Sequence, residues 1–185
     1  MTLNFNLVDI LMLGAVVRSF YVGAKTGFMA ELFRLIGIVC ATFVILHYYL
    51  SFAGFLTKKL FIPEKTQESL SFTILMIAAI LFSFLIREGW LIIFKVEVKS
   101  ALNKWAGALC SLLTSYLACG LFLLALILWN NSYINQHIQS SLSQPVLQNV
   151  SARVYEAAYT AVIRPFFPEE PVNTKVLRLT GGIKP

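Results

Sequence analysis

The chain has 185 residues, of which 58% are hydrophobic and only 13% charged. Globular domains carry about 25% charged residues, so an ordinary soluble fold is excluded. The formal net charge is +6, but Lys and Arg are scattered in ones and twos without interleaved aromatics; this argues against nucleic-acid binding and leaves the basic residues as topology determinants.

The first apolar stretch, Leu3–Val22, is interrupted by Asp9 and Arg18. Residues 1–8 hold no Lys or Arg, and no small-x-small site follows, so a cleaved signal peptide is not expected. Asp9 and Arg18 are about 900° of helical rotation apart and point to opposite sides, so they cannot pair. Asp9 is expected to reach water at the outer end of the span, and Arg18 to snorkel at the other. An ionisable residue within a span is a functional candidate by default, and Asp9 is the better one.

Gly23, Gly27 and Glu31 follow four apart, with Arg34 three further on. On a continuous helix they would share a face. The two glycines would then permit close helix approach. Alternatively, Gly23 and Gly27 form the turn between two spans, and Glu31 complements the dipole of the second helix. Glu31 and Arg34 read as an ion pair, either structural or part of a transport path.

Leu35–Leu56, Leu70–Ile86 and Trp105–Trp129 contain no Asp, Glu, Lys or Arg. Each approaches or exceeds the ~20 residues that cross a hydrocarbon core. In lipid every backbone N–H and C=O needs an internal partner, so these stretches are expected to be helices. The connection around Pro63 reads as a solvated loop or interfacial turn. Ile92–Lys99 alternates in period two and is compatible with a short strand or an interfacial helix. Small residues Gly107, Ser111, Ser115 and Cys119 then recur every four positions, which suits close crossing with a neighbouring helix, within one chain or in a homo-oligomer. Ser111 and Ser115 can also bond back to their own helix. Trp105 and Trp129 bracket this span as interfacial anchors.

After Trp129 the composition turns polar. Apolar residues recur at helical spacing through Val146, Leu147, Val150, Val154, Ala158 and Val162, with Pro145 opening a new helix. This segment could lie on the membrane surface, or pack on the bundle or a partner. The tail from Pro165 is punctuated by Pro and Gly and reads as disordered.

Cys40, Cys110 and Cys119 all fall in apolar stretches, with no C-x-x-C, and read as small buried hydrophobes rather than a disulfide or metal set. His47 stands beside Tyr48–Tyr49 and reads as a satisfied interfacial histidine. Common hydrolase and metalloprotease motifs do not occur, so no enzyme activity, cofactor or metal is expected. The near-span basic residues number seven in the first and third connections (Arg18, Lys25, Arg34; Arg87, Lys95, Lys99, Lys104) against three in the second (Lys58, Lys59, Lys65). That places the first and third connections in the cytoplasm and both termini outside.

The expectation is therefore an all-α integral membrane protein: four transmembrane helices plus a C-terminal amphipathic helical segment. The units are 1–130 (spans about 3–22, 28–50, 70–94 and 103–129), 131–164, and a tail over 165–185. Candidate functional polar residues are Asp9, Glu31 and Arg34. Candidate packing residues are Gly23, Gly27, Gly107, Ser111 and Ser115.

In order and spacing, "NLVDILMLG", "YVGAKTGFMAELFRLIG" and "LNKWAGALCSLLTSYL" resemble the colicin V production protein (CvpA) family of bacterial inner-membrane proteins. That family has an Asp opening the first span, a Gly-x-x-x-Gly-Phe-x-x-Glu run between spans one and two, and an Asp-Arg-x-x-Gly run opening the last. Asp9, Gly23, Gly27, Phe28 and Glu31 match the first two features. Asn103, Lys104 and Gly107 stand at the third, with acid and arginine replaced and the glycine kept. The resemblance covers about residues 4–130 and implies multi-pass placement in the inner membrane and a part in colicin V-type toxin production or export, or in envelope maintenance. It brings no chemical activity. Lipid and other membrane proteins, or further copies of the chain, are the expected partners.

Overall fold

A computed structural model describes residues 7–60, 63–93, 100–129, 141, 144–166 and 173. These form helices α1 (Leu7–Thr26), α2 (Phe28–Leu60), α3 (Glu64–Ile93), α4 (Ala101–Leu128) and α5 (Gln144–Ala158). A π-helical turn, Tyr159–Ile163, and a final helical turn, Arg164–Phe166, continue α5. The described residues contain no strand. The period-two reading of Ile92–Lys99 falls mostly on residues 94–99, outside the described residues, while Ile92 and Ile93 end α3.

Phe28–Lys59, Thr66–Ile86 and Ala101–Leu128 are long and apolar enough to cross a bilayer. Their surfaces agree with that environment. Ile77, Leu81, Phe82, Phe84 and Leu85 of α3 are all more than half exposed. Such a continuous apolar face is not tolerated in water but suits lipid.

α2 and α3 form an antiparallel hairpin. Thr57 meets Gln67 near the Pro63 connection, where Thr57 Oγ1 donates to Gln67 Oε1. Farther along, Tyr49 packs edge-on against Phe72 at 5.7 Å. α4 packs against both α1 and α2, whereas α1 and α2 touch little beyond their junction. The main core lies between α2, α3 and α4, around Ile45, Leu46, Tyr49, Phe72, Leu117, Leu121 and Leu124. A second cluster joins Met12 of α1 to Cys119 and Leu123 of α4. Since Gly23 meets Gly107 at the other end, α1 and α4 run antiparallel.

The α3–α4 contact is pinned by polar groups at one end. Ser69 Oγ donates to the Leu128 carbonyl, and Trp129 Nε1 donates to Thr73 Oγ1 at 3.0 Å. The first satisfies a carbonyl of the kind that a helix end leaves without a partner. Trp105 and Trp129, at opposite ends of α4, are 67% and 52% exposed.

α5 packs on α2 and α4 through Val150, Val154 and Tyr155, with Pro145 in its first turn, where a missing N–H costs nothing. Tyr155 is fully buried. Its ring stacks on Phe43 at 5.7 Å, and its hydroxyl lies 3.1 Å from His47 Nδ1. The tail, read as disordered, is held at one described residue. Asn173 donates from its backbone N–H to the Tyr155 hydroxyl at 3.1 Å and from Nδ2 to the Leu46 carbonyl at 2.7 Å.

Candidate functional site

The polar site of the chain is built where α1 ends, α2 begins and α4 starts. Gly27 is the single residue between α1 and α2 and has φ 85°, a left-handed backbone that glycine adopts without steric cost. Its N–H donates to the Gly23 carbonyl at 3.1 Å, closing α1, and its carbonyl accepts from the Glu31 N–H at 3.3 Å, opening α2. One residue thus ends one helix and begins the next.

Asn103 completes the start of α2. Its Oδ1 accepts the Phe28 N–H at 2.7 Å, satisfying one of the four orphan donors at a helix N-terminus. Asn103 is held in turn by Ser100, the N-cap of α4, whose hydroxyl oxygen accepts the Asn103 N–H at 3.2 Å. An amide oxygen accepts here as a carboxylate oxygen would.

Glu31 has no exposed surface. Thr26 Oγ1 lies 2.7 Å from Glu31 Oε1, and also 3.1 Å from the Val22 carbonyl. With one proton to give, the hydroxyl favours the shorter bond to the charged acceptor. Arg34 Nη1 donates to Glu31 Oε2 at 3.3 Å. Arg34 itself is 31% exposed, so the pair is buried at the carboxylate and open at the guanidinium. Glu31 also stands in the first turn of α2, where negative charge complements the helix dipole.

Beside this junction α1 and α4 cross at van der Waals limits. A Cβ on Gly23 would lie 2.7 Å from the Gly107 carbonyl oxygen, and one on Gly107 would lie 2.6 Å from the Gly23 oxygen and 2.8 Å from the Gly27 carbonyl carbon. Ser111 then crosses between the helices, its Oγ donating to the Ser19 carbonyl at 2.6 Å. Ser111 and Ser115 are both buried. Ser111 therefore bonds across to α1 rather than back to its own helix. The two readings of the glycines hold together: Gly27 makes the turn, and Gly23 with Gly107 makes the close crossing.

Asp9 stands apart, near the opposite end of α1, about 20 Å of helical rise from Gly23. The expectation that it reaches water is corrected here. Asp9 is only 7% exposed, and Ser141 Oγ donates to its Oδ1 at 2.6 Å. Ser141 lies in the polar stretch before α5, so nothing in the local sequence around Asp9 announces this partner. Arg18 is exposed.

The structure thus brings together Gly23, Gly27, Glu31, Arg34, Gly107 and Ser111, with Ser115 one turn along α4, and leaves Asp9 at a separate contact. Thr26, Asn103 as an acceptor, and Ser141 are the functional partners that sequence reading missed. Thr26 alone left a signal, a hydroxyl directly before a turn glycine and five positions before a buried acid. Among the described residues no three His, Cys, Asp or Glu side chains cluster as a metal site. Chemically the junction can hold helices in register and keep one guanidinium presented outward.

The family model described as "Colicin V production protein" matches residues 8–152, a range that includes the junction, the α1–α4 crossing, Asp9 and Ser141. Searches of curated proteins and of solved structures gave no match.

Proposed function

The chain belongs to the colicin V production protein family, and from that premise we propose that it is a non-enzymatic, four-span protein of the bacterial inner membrane. It acts in colicin V-type toxin production or export, or in envelope maintenance, through helix packing and protein contacts. α1 supplies the fourth span, with Asp9 buried near one end and Arg18 snorkelling toward the other. The two termini lie on the periplasmic side, and the α1–α2 junction faces the cytoplasm. In the lipid-facing bundle, α5 adds an amphipathic segment whose apolar side rests on α2 and α4.

The observation that carries a packing role is Glu31. It is fully buried, and both its oxygens are engaged by Thr26 and Arg34 of the same chain. A carboxylate held in this way fixes the junction rather than waiting for a substrate. The test is complementation of a strain lacking the chain, scored by secretion of a colicin V-type toxin and by growth under detergent stress. Wild type should restore one or both, and Gly107→Leu, which forces α1 from α4, should not. Restoration by Gly107→Leu at normal protein levels would count against the reading.

A small oligomeric channel or transporter is the alternative, with Asp9, Glu31 and Arg34 lining a polar path. Their arrangement does not favour it within one chain, because Asp9 is bonded to Ser141 far from the Glu31–Arg34 pair. Proteoliposome flux decides. Flux in wild type that disappears in Asp9→Asn and Glu31→Gln supports transport; no flux with an intact export phenotype supports the packing role.

A further inference from the structure

We propose that the groove between α1 and α4 binds an anionic phospholipid of the surrounding bilayer, with an acyl chain along the groove and the phosphate on Arg34. The groove has a volume of about 330 Å³ and is walled by Leu11, Met12 and Ala15 of α1 and by Phe122 and Leu126 of α4, with Arg34 of α2 entering it. That volume lies at the lower end of the ~300–1,000 Å³ range of ligand sites. It suits a flexible hydrocarbon chain and is too small to admit a helix ~10 Å across.

The polarity of the groove runs along its length. α1 and α4 are antiparallel, so Leu11 and Leu126 mark one end, and Ser19 and Ser115 the other. α2 starts beside Asn103 and runs parallel to α4, so Arg34 joins at the serine end. An apolar channel with a cation and hydroxyl groups at one end matches an amphiphile with an anionic head. It opens toward lipid: Leu11 is 63% exposed and Phe122 48%.

Arg34 also stands at the right depth. The charge-free run Leu35–Leu56 gives about 33 Å of helix, just more than the ~30 Å hydrocarbon core. The residue before that run therefore lies at the hydrocarbon edge, within a long side chain's reach of the headgroup layer that holds the lipid phosphates. A guanidinium has five N–H donors in a planar fork suited to phosphate. Glu31 takes a bond from Nη1, and the 31% exposure of Arg34 leaves the rest of the fork accessible. Glu31 aims the guanidinium, and the phosphate completes it.

The experiment uses the full chain, purified in mild detergent, stripped of lipid, and titrated by native mass spectrometry with phosphatidylglycerol and phosphatidylcholine of identical acyl chains. Wild type should retain phosphatidylglycerol about tenfold better, because choline's own cation offsets the phosphate charge and crowds Arg34. Arg34→Gln should fall to the phosphatidylcholine level and Arg34→Lys should stand between. Ala15→Phe, which fills the groove, should reduce retention of both lipids without changing the melting temperature. Equal retention of the two lipids by wild type overturns the proposal. So does a lipid-free dimer that excludes phosphatidylglycerol, since a second copy would then own the groove. If Arg34→Gln does not fold, Ala15→Phe decides alone, and unchanged phosphatidylglycerol retention in it overturns the site.

Discussion

Glu31 and Gly107 set the terms at the scale of single residues. A carboxylate with no exposed surface is tolerated in this chain because two donors reach it. Removing it forfeits a charge-assisted bond from Arg34 and returns the Thr26 hydroxyl to the Val22 carbonyl. Glu31→Ala should lower stability by about 1–3 kcal/mol, read as loss of helical circular dichroism on heating in detergent. Glu31→Gln, which keeps an acceptor for Thr26, should cost less. Gly107→Ala puts a methyl 2.6 Å from the Gly23 oxygen, backbone that cannot swing aside, and should cost about 1–3 kcal/mol by overpacking. Gly14, inside α1 with nothing within 4 Å of an added Cβ, is the control. Gly14→Ala should be neutral or stabilise by up to about 1 kcal/mol through helix propensity. A Gly107→Ala variant that melts like Gly14→Ala would remove the close crossing from the account.

Elements are joined by contacts that link distant parts of the chain. Asn103 of α4 caps α2 across 75 positions of sequence, so the start of one span depends on the start of another. Asn103→Ala should cost about 0.5–2 kcal/mol, the usual loss for a helix cap. Asn103→Asp, keeping the acceptor, should retain most of that stability. α5 is attached differently. Tyr155 on α5 brings together His47 of α2 and Asn173 of the tail. Tyr155→Phe keeps the stacked ring and removes only those bonds. It should therefore leave the bundle's melting nearly unchanged while raising hydrogen exchange in α5 and around Asn173. Equal protection in the variant would mean that apolar packing alone holds α5.

For the whole molecule, the outcome to check is topology. The proposed four-span arrangement has both termini on one side, and the excess of Lys and Arg in the first and third connections argues for the outside. A reporter active only outside the cytoplasm should be active when fused at either terminus or near Lys58. It should be silent when placed near Arg87. Activity near Arg87 with silence at the termini would invert the orientation without disturbing the helix packing. The association expected from the small-residue stripe also takes its meaning at this scale. Gly107 and Ser111 spend their smallness on α1 of the same chain, so that stripe no longer requires a second copy.

Much of the fold was legible in the sequence for a plain reason: lipid imposes length and helicity locally. A charge-free run such as Leu35–Leu56 has to be a helix wherever it packs, and its ends are marked by the charges that bracket it. The glycine at the α1–α2 turn and the Glu31–Arg34 pair were readable on the same ground, since a positive-φ turn and an i, i+3 pair are local features. The partners of Asp9 and Phe28 were not readable. Ser141 is 132 positions from Asp9, and Asn103 is 75 from Phe28; both are ordinary polar residues that gain their roles only when helices cross. The sequence by itself determined that this chain lives in a membrane and which family's frame it follows. Only the tertiary structure decided which small residues touch, which buried acid meets which donor, and that one arginine opens onto a groove, because those depend on how helices of fixed length are brought together in space.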